Sequence, residues 1–298
     1  MKQIVILSGK GGTGKTTVAS AIAHLASREF KVTMADADVD AANLELVLSP
    51  KMLESHEFIG EKVAVIDQQN CFGCGACEAV CRFGAIVPND GEFRTDPFAI
   101  DPGACEGCAA CLYRCPTAAI RMDDRTAGRW FVSETRFGPL VHAHLFAGQE
   151  NSGKLVTVVK QRARDIAAEQ GSDFMIVDGP PGIGCAVIAA SSGADLALLV
   201  VEPTMAGVHD LKRVLTTTSH FRIPAAVVVN KWDLNPTRTE EIDRFCESQA
   251  VDVIGRLPFD TVATKAMVAG RVITELPTGL LAQRVERAWR RLLNEVGA

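Results

Sequence analysis

Four stretches of the chain are continuously apolar: Ile4–Leu7, Phe174–Val177, Leu196–Val201 and Ala225–Val229. They are too short for helices and lack the alternation of a half-solvated strand, so they predict strands buried on both faces of a parallel sheet. Lys31–Ala35 and a segment near Val253 read as two more strands. Helical patterns lie between them at Thr17–Ser27, Leu155–Glu169, Gly207–Phe221 and around Phe245 and Cys246, with another starting near Ala41. This alternation predicts an α/β fold with a doubly wound, mostly parallel sheet. A last helix, Gly279–Glu295, puts Leu281, Val285, Ala288, Trp289, Leu292 and Val296 on one face and its arginines elsewhere, as expected of a helix packed on the core. Two β-like runs, Trp130–Val132 and Val141–Leu145, flank Gly138-Pro139 and predict a hairpin. His142 and His144 share one face of its second strand. With no third ligand nearby in sequence, they read as ordinary strand-surface residues. Gly148–Lys154 reads as a turn rather than a phosphate loop, because no strand clearly feeds it.

The first strand runs into Gly9-Lys10-Gly11-Gly12-Thr13-Gly14-Lys15-Thr16-Thr17, which fits the G-x-x-x-x-G-K-[ST] phosphate loop in the required order of strand, loop and helix. Successive glycines let backbone N–H groups converge on one point, and the helix N-terminus adds partial positive charge. The loop is therefore the expected nucleotide cradle, with Lys15 reaching the β- and γ-phosphates and Thr16 holding Mg²⁺.

Acidic residues follow two of the strands. Asp36, Asp38 and Asp40 alternate just past the second strand, where α/β sheets bind ligands, and are candidates for holding Mg²⁺ or orienting the attacking water. An acidic turn that caps the next helix is the plainer reading. Asp178 ends the strand Phe174–Val177 and precedes Gly179-Pro180-Pro181-Gly182, an arrangement suited to holding Mg²⁺ through water and offering glycine N–H groups to a γ-phosphate. Cys185, seven residues beyond Asp178, reads as a small buried residue.

Between about Glu61 and Arg125 the composition changes, and eight of the ten cysteines fall there. Cys71, Cys74, Cys77 and Cys81 are spaced C-x2-C-x2-C-x3-C; Cys105, Cys108, Cys111 and Cys115 repeat that spacing 34 residues on. The pattern resembles the bacterial two-cluster ferredoxin signature, in which the fourth cysteine of each run ligates the other 4Fe-4S cluster. The resemblance implies one cluster on Cys71, Cys74, Cys77 and Cys115 and a second on Cys105, Cys108, Cys111 and Cys81. Zinc is the competing reading, but structural zinc takes four ligands, not two such runs. Arg82 stands after Cys81 where the pattern has proline, a change that bears on the surroundings of the cluster rather than on its ligands.

Length and charge narrow the classes. A chain of 298 residues with 47% hydrophobic content suits one large α/β domain carrying an insertion, or two domains. A net charge of -5 opposes nucleic-acid binding, which wants a basic face. Met1-Lys2 leads straight into the first strand without a charged-then-apolar leader, and no apolar run reaches a membrane span, so a cytoplasmic protein is expected. Cysteines in that setting point to metal rather than disulfides.

The pattern K-G-G-x-G-K-T-T resembles the deviant Walker A loop of the MinD/ParA/Mrp superfamily, which includes the nitrogenase iron protein. In that family the first lysine, Lys10 here, crosses a dimer interface to the partner's nucleotide. Asp38 matches the second acid of the family's switch I motif, and Asp178-Gly179-Pro180-Pro181-Gly182 resembles its switch II. Asn230-Lys231-Trp232-Asp233 fits the base-reading N-K-x-D of many GTPases, but an asparagine at this strand end contacts adenine in the resembled ATPases. Leu257-Pro258-Phe259-Asp260 resembles the segment that packs on the base there, which places Asn230, Pro258 and Asp260 at the base and favours ATP over GTP. The nitrogenase iron protein carries a cluster cysteine at the offset of Cys185, but its second bridging cysteine has no counterpart. MinD-type proteins end in a membrane helix, whereas the last helix here reads as core.

The resemblance implies a P-loop NTPase domain at 1–60 and 126–298 with an α+β ferredoxin-like domain inserted at 61–125. It implies catalytic roles for Lys10, Lys15, Asp38 and Asp178. The expected protein binds ATP, Mg²⁺ and two 4Fe-4S clusters, and dimerises with itself or a similar ATPase. It would couple nucleotide state to electron or cluster transfer to a partner protein. A redox-sensing spatial organiser and an Mrp-like cluster assembly factor are the other readings; the latter family's C-terminal C-x-x-C is missing, since Cys246 is alone.

Overall fold

The computed structural model describes residues 1–89, 96–146, 153–276 and 279–297. Most of the turn expected at Gly148–Lys154 lies outside them. In chain order the elements are β1 (Lys2–Ser8), α1 (Lys15–Ser27), β2 (Val32–Asp36), α2 (Leu44–Leu48), β3 (Lys51–Ile66), α3 (Ala76–Val80), β4 (Ile86–Pro88), β5 (Phe98–Ile100), α4 (Ala110–Arg114), β6 (Ile120–Thr135) and β7 (Gly138–Leu145). There follow α5 (Lys154–Gln170), β8 (Phe174–Pro181), α6 (Cys185–Ser191), β9 (Leu196–Val201), α7 (Met205–His220), β10 (Ala225–Asn230), α8 (Pro236–Ser248), β11 (Asp252–Leu257), α9 (Val262–Val268) and α10 (Leu280–Val296). The chain divides into two compact units: Met1–His56, Arg129–Leu145 and Asn151–Ala298 form the first, Glu57–Gly128 and Phe146–Glu150 the second. Among the described residues no helix is long and apolar enough to cross a membrane.

The strand order is β11-β10-β9-β1-β8-β2-β7-β6-β3. β1 runs parallel to β8 and β9 on either side; β2 is parallel to β8 and β7, and β10 to β9 and β11. Ile4, Val5, Ile6 and Leu7 are wholly buried, because helices cover both faces of a central parallel strand. The apolar face of α10 is buried at all six positions its periodicity predicts. Its Trp289 meets Phe174 of β8 edge-on at 5.5 Å.

Three elements differ from the sequence reading. β3 and β6 are sixteen residues each, far longer than the apolar pattern implies. β3 forms an edge of the sheet and is exposed along most of its length, so no buried face imposes an alternating pattern on it. The helix expected near Ala41 begins at Leu44, and its leading N–H donates to the Asp36 carboxylate at 3.0 Å rather than to Asp40, which is exposed.

In the second unit β4 and β5 pair antiparallel. The five-residue helices α3 and α4 each begin inside a cysteine run. Its hydrophobic cluster consists of Ala64, Cys77, Ile86, Phe98, Cys111 and Ile120.

Candidate functional site

Strand register builds the acidic side of the site. Asp36 ends β2 directly opposite Asp178 of β8, and Asp178 is in turn opposite Ile6 of β1, so two carboxylates share the end of the sheet from which the phosphate loop departs. Asp36 is completely buried; its Oδ1 accepts the Asp38 N–H at 3.2 Å and its Oδ2 the Leu44 N–H. Burial first, and the charge of Asp178 second, push its carboxyl well above the ordinary range. Asp36 thus shapes the turn, while Asp38 turns toward the loop.

Lys15 answers this charge. Its Nζ donates to Asp178 Oδ1 at 2.9 Å and to Asp38 Oδ2 at 3.1 Å, with the lysine side chain only 6% exposed. Burial pulls the ammonium down, but the two carboxylates outweigh it and hold its pKa above the ordinary value. Burial raises Asp38 despite the pull of Lys15. Asp178 Oδ2 is buried with no hydrogen-bond partner. An orphaned carboxylate oxygen beside a phosphate loop fits a hydrated Mg²⁺.

The loop lines a cavity of about 360 Å³ that also takes in Asp38, Asn230, Pro258, Phe259 and Asp260. Gly11 through Thr17 all face it, so the structure brings together the loop and the base-side residues that the sequence singles out. Gly14 precedes α1 at φ 87°, and no side chain caps the helix, which leaves its first N–H groups for an anion. A Cβ on Gly14 would sit 2.3 Å from Asn230 Nδ2, which donates to the Thr13 carbonyl at 2.7 Å. Gly179 is equally constrained: a Cβ there would meet Leu7 at 2.6 Å. A larger cavity of about 510 Å³, lined by Arg256, Arg284, Arg287, Arg291 and Trp232, contains none of these loop residues.

Glu202, just past β9, was missed by the sequence reading. Its carboxylate holds Lys10 at 3.2 Å and also pairs with Lys231, whose Nζ reaches the Gly12 carbonyl at 3.3 Å. The signal was available, for Glu202 follows an apolar strand just as Asp178 does. Asp233 accepts the Phe259 N–H at 2.7 Å, so one of the two oxygens that N-K-x-D would offer guanine is engaged by the chain itself. Asp260 accepts the Val262 N–H at 2.9 Å and starts the turn into α9.

In the second unit Cys71, Cys74, Cys77 and Cys115 line one small cavity together with Phe98 and Ile120. That is the crossed set implied by the ferredoxin-like spacing. Cys105 and Cys108 lie close enough to Cys111 to disfavour its thiolate, after burial, which is the larger cause of its raised pKa. Cys81 packs against the same hydrophobic cluster as Cys105. Thiols unpaired by disulfides, four of them around one small cavity, suit a soft metal centre.

Two readings need correction. Cys185 is exposed, not buried, because it opens α6 where the chain leaves the sheet. Burial of Cys246 pushes its thiol up to about 12, as befits a core residue. His142 is buried rather than on the strand surface, and both it and His144 meet Glu45 of α2, 97 or more residues away.

The model of the CobQ/CobB/MinD/ParA nucleotide binding domain matches residues 4–273. An uncharacterized protein of Methanocaldococcus jannaschii is 38% identical over 78% of this chain and 79% of its own length. An iron-sulfur cluster carrier protein of Pyrococcus abyssi is 26% identical over 90% of this chain and 77% of its own. The septum site-determining protein MinD of Pyrococcus horikoshii, solved with Mg-ADP, superposes with a TM-score of 0.55 at 18% identity, over 98% of this chain and 95% of that one. Such likeness speaks for the fold, and the match along the sequence for the family: the chain belongs to the CobQ/CobB/MinD/ParA family of nucleotide-binding domains and is a P-loop ATPase.

Proposed function

We propose that this ATPase carries two 4Fe-4S clusters in its second unit, an inserted ferredoxin-like domain, and uses its nucleotide state to govern electron transfer to a partner protein. The observation that carries the reading is the cavity shared by Cys71, Cys74, Cys77 and Cys115, since it joins the last cysteine of the second run to three of the first. One cluster would be held there and the other by Cys105, Cys108, Cys111 and Cys81; each would supply a site for one electron.

At the other site, Gly11 through Thr17 bind the phosphates of ATP, Lys15 neutralises the β- and γ-oxygens, Thr16 holds Mg²⁺, and Asp38 and Asp178 orient water and metal. To reach a nucleotide, Lys15 exchanges its carboxylate partners for phosphate. ATP is favoured over GTP because Asn230 is at the cavity and Asp233 already accepts a backbone N–H. Lys10 supports a dimer with a second copy or a similar ATPase. Its ion pair with Glu202 is about one-third exposed on the lysine side and is worth roughly 0–1 kcal/mol, so releasing it toward a partner costs little. Lys231 stays with Glu202 when Lys10 leaves.

Cluster delivery rather than electron delivery is the second reading, favoured by the similarity to the Pyrococcus abyssi carrier.

Anaerobic iron and sulfide analysis tests the proposal. About eight irons and as many sulfides per chain are expected for two cubes. Stoichiometric zinc without acid-labile sulfide would overturn it.

A further inference from the structure

Neither the nucleotide cavity nor the cysteine unit accounts for a third group of donors in the first unit. α2 and β7 bring together Glu45, His142 and His144, whose donor atoms all lie within 4.8 Å of one another. Alternation along β7 puts the two histidines on the same side, and α2 lays Glu45 across both. Glu45 Oε2 is 2.9 Å from His142 Nδ1, and Oε1 is 3.1 Å from His144 Nε2.

Ion pairing alone leaves one feature unexplained. His142 is 5% exposed, and its buried Nδ1, 2.9 Å from Glu45 Oε2, is left without a hydrogen-bond partner of good geometry. Its other nitrogen, Nε2, is engaged by Ser133 Oγ at 3.0 Å. With Nε2–H donating to the Ser133 hydroxyl, as the outer partner of a metal-binding histidine accepts, the ring plane is held and Nδ1 keeps its lone pair for an ion. Phe131 packs against both rings, at 5.1 and 5.5 Å between centroids, and so holds their orientation.

The geometry points to a metal site in which Glu45, His142 and His144 hold a divalent first-row transition metal ion. Two imidazoles and one carboxylate form a borderline donor set suited to Zn²⁺ or Fe²⁺. Donors about 2.0–2.1 Å from a tetrahedral ion stand roughly 3.4 Å apart, so small movements suffice to accept one. His144 is about half exposed, which gives the ion a way in and leaves room for water as a fourth ligand. The ion would tie α2, whose first N–H is held by Asp36, to β7.

Zn²⁺ is the probe, and equilibrium dialysis of the full chain with its cysteine sites loaded, under anaerobic conditions, is the measurement. The wild type is expected to take up one more equivalent of zinc than His144→Ala or Glu45→Gln, or to bind it at least tenfold more tightly. Iron and sulfide content should be unchanged in both variants. Ser133→Ala should weaken zinc about tenfold or more while keeping all three ligands. The choice of His144, half exposed and making no buried contact with Ser133, keeps the test independent of folding; a His142 variant is not required. Zinc uptake and affinity identical in wild type, His144→Ala and Glu45→Gln would overturn the site.

Discussion

Around the phosphate loop, polar groups are held by strands whose side chains are wholly buried, and Lys15 is already neutralised by two carboxylates of the same chain. The cysteines, by contrast, sit in a unit whose β4 and β5 are three residues each and whose helices are five. Two of the six residues in its hydrophobic cluster are themselves cysteines. Below about 70–80 residues a single core rarely supplies more than ~3–5 kcal/mol, and such units lean on metal or disulfides. The first region therefore holds its site ready by packing, whereas the second, on the proposed function, would depend on its clusters to be fully packed.

Removing the metal centres is the strongest way to break this contrast. On loss of the two clusters proposed for it, amides of the second unit should lose hydrogen-exchange protection while those of β1, β8 and β9 keep theirs. Equal loss in both units, or in neither, would show that the two are stabilised alike. Cys77→Ser should act in the same direction, since it removes a proposed cluster ligand and a core residue at once.

At the nucleotide site the largest single effect is expected from Lys15→Ala. It leaves Asp38 and Asp178 without their counter-charge, which costs about 3–5 kcal/mol of stability, and removes about 2–5 kcal/mol of nucleotide affinity. Lys10→Ala, at a pair about one-third exposed on the lysine side, should leave binding by calorimetry nearly unchanged and abolish ATP-induced dimerisation and hydrolysis. Equal loss of binding in both variants would make Lys10 an ordinary ligand of its own nucleotide.

Whether the two regions communicate is measured by the cluster potentials. Coupling between sites is typically ~1–3 kcal/mol, and one electron at about 59 mV per tenfold change gives a shift on the order of 50–130 mV between the ADP-bound protein and one bound to a non-hydrolysable ATP analogue. Identical potentials, with equal analogue affinity for oxidised and reduced protein, would separate the regions thermodynamically.

A smaller effect sharpens the claim that the first unit is held by its own packing. Lys160 of α5 donates to the carbonyls of Ala189 at 2.6 Å, Ala190 at 3.2 Å and Ser192, at the end of α6. Burial lowers its pKa to about 8 from an ordinary 10.5. The unfolded chain thus binds more protons than the folded one between those values, and stability rises with pH across that window. Lys160→Met should remove this rise, read as the change in urea midpoint with pH relative to wild type. The smallest effect is expected of Asp233→Asn: it should leave the preference for ATP over GTP intact, and a swing in selectivity would return that residue to base reading.

Much of the fold was legible along the chain. Continuous apolar runs can only be strands covered on both faces, a glycine-rich loop between strand and helix can hardly be anything but an anion cradle, and regular cysteine spacing survives any rearrangement of its surroundings. β3 was not legible and only the Trp130–Val132 part of β6 was; β3, at the sheet edge, buries too little to leave a periodic trace. Charge placement was not legible either. Asp36, Asp38 and Asp40 are alike in sequence, yet the register of β2 against β8 buries the first, the turn it anchors aims the second at Lys15, and the third stays in solvent. Glu202, Lys10 and Lys231 meet through β9, and Glu45 meets His142 and His144 through α2 and β7. Local pattern determines which segments must be buried and which can bind phosphate or soft metal, since those properties belong to a few neighbouring residues. Which carboxylate faces which cation depends on strand order and register, and those are decided only when distant segments pack.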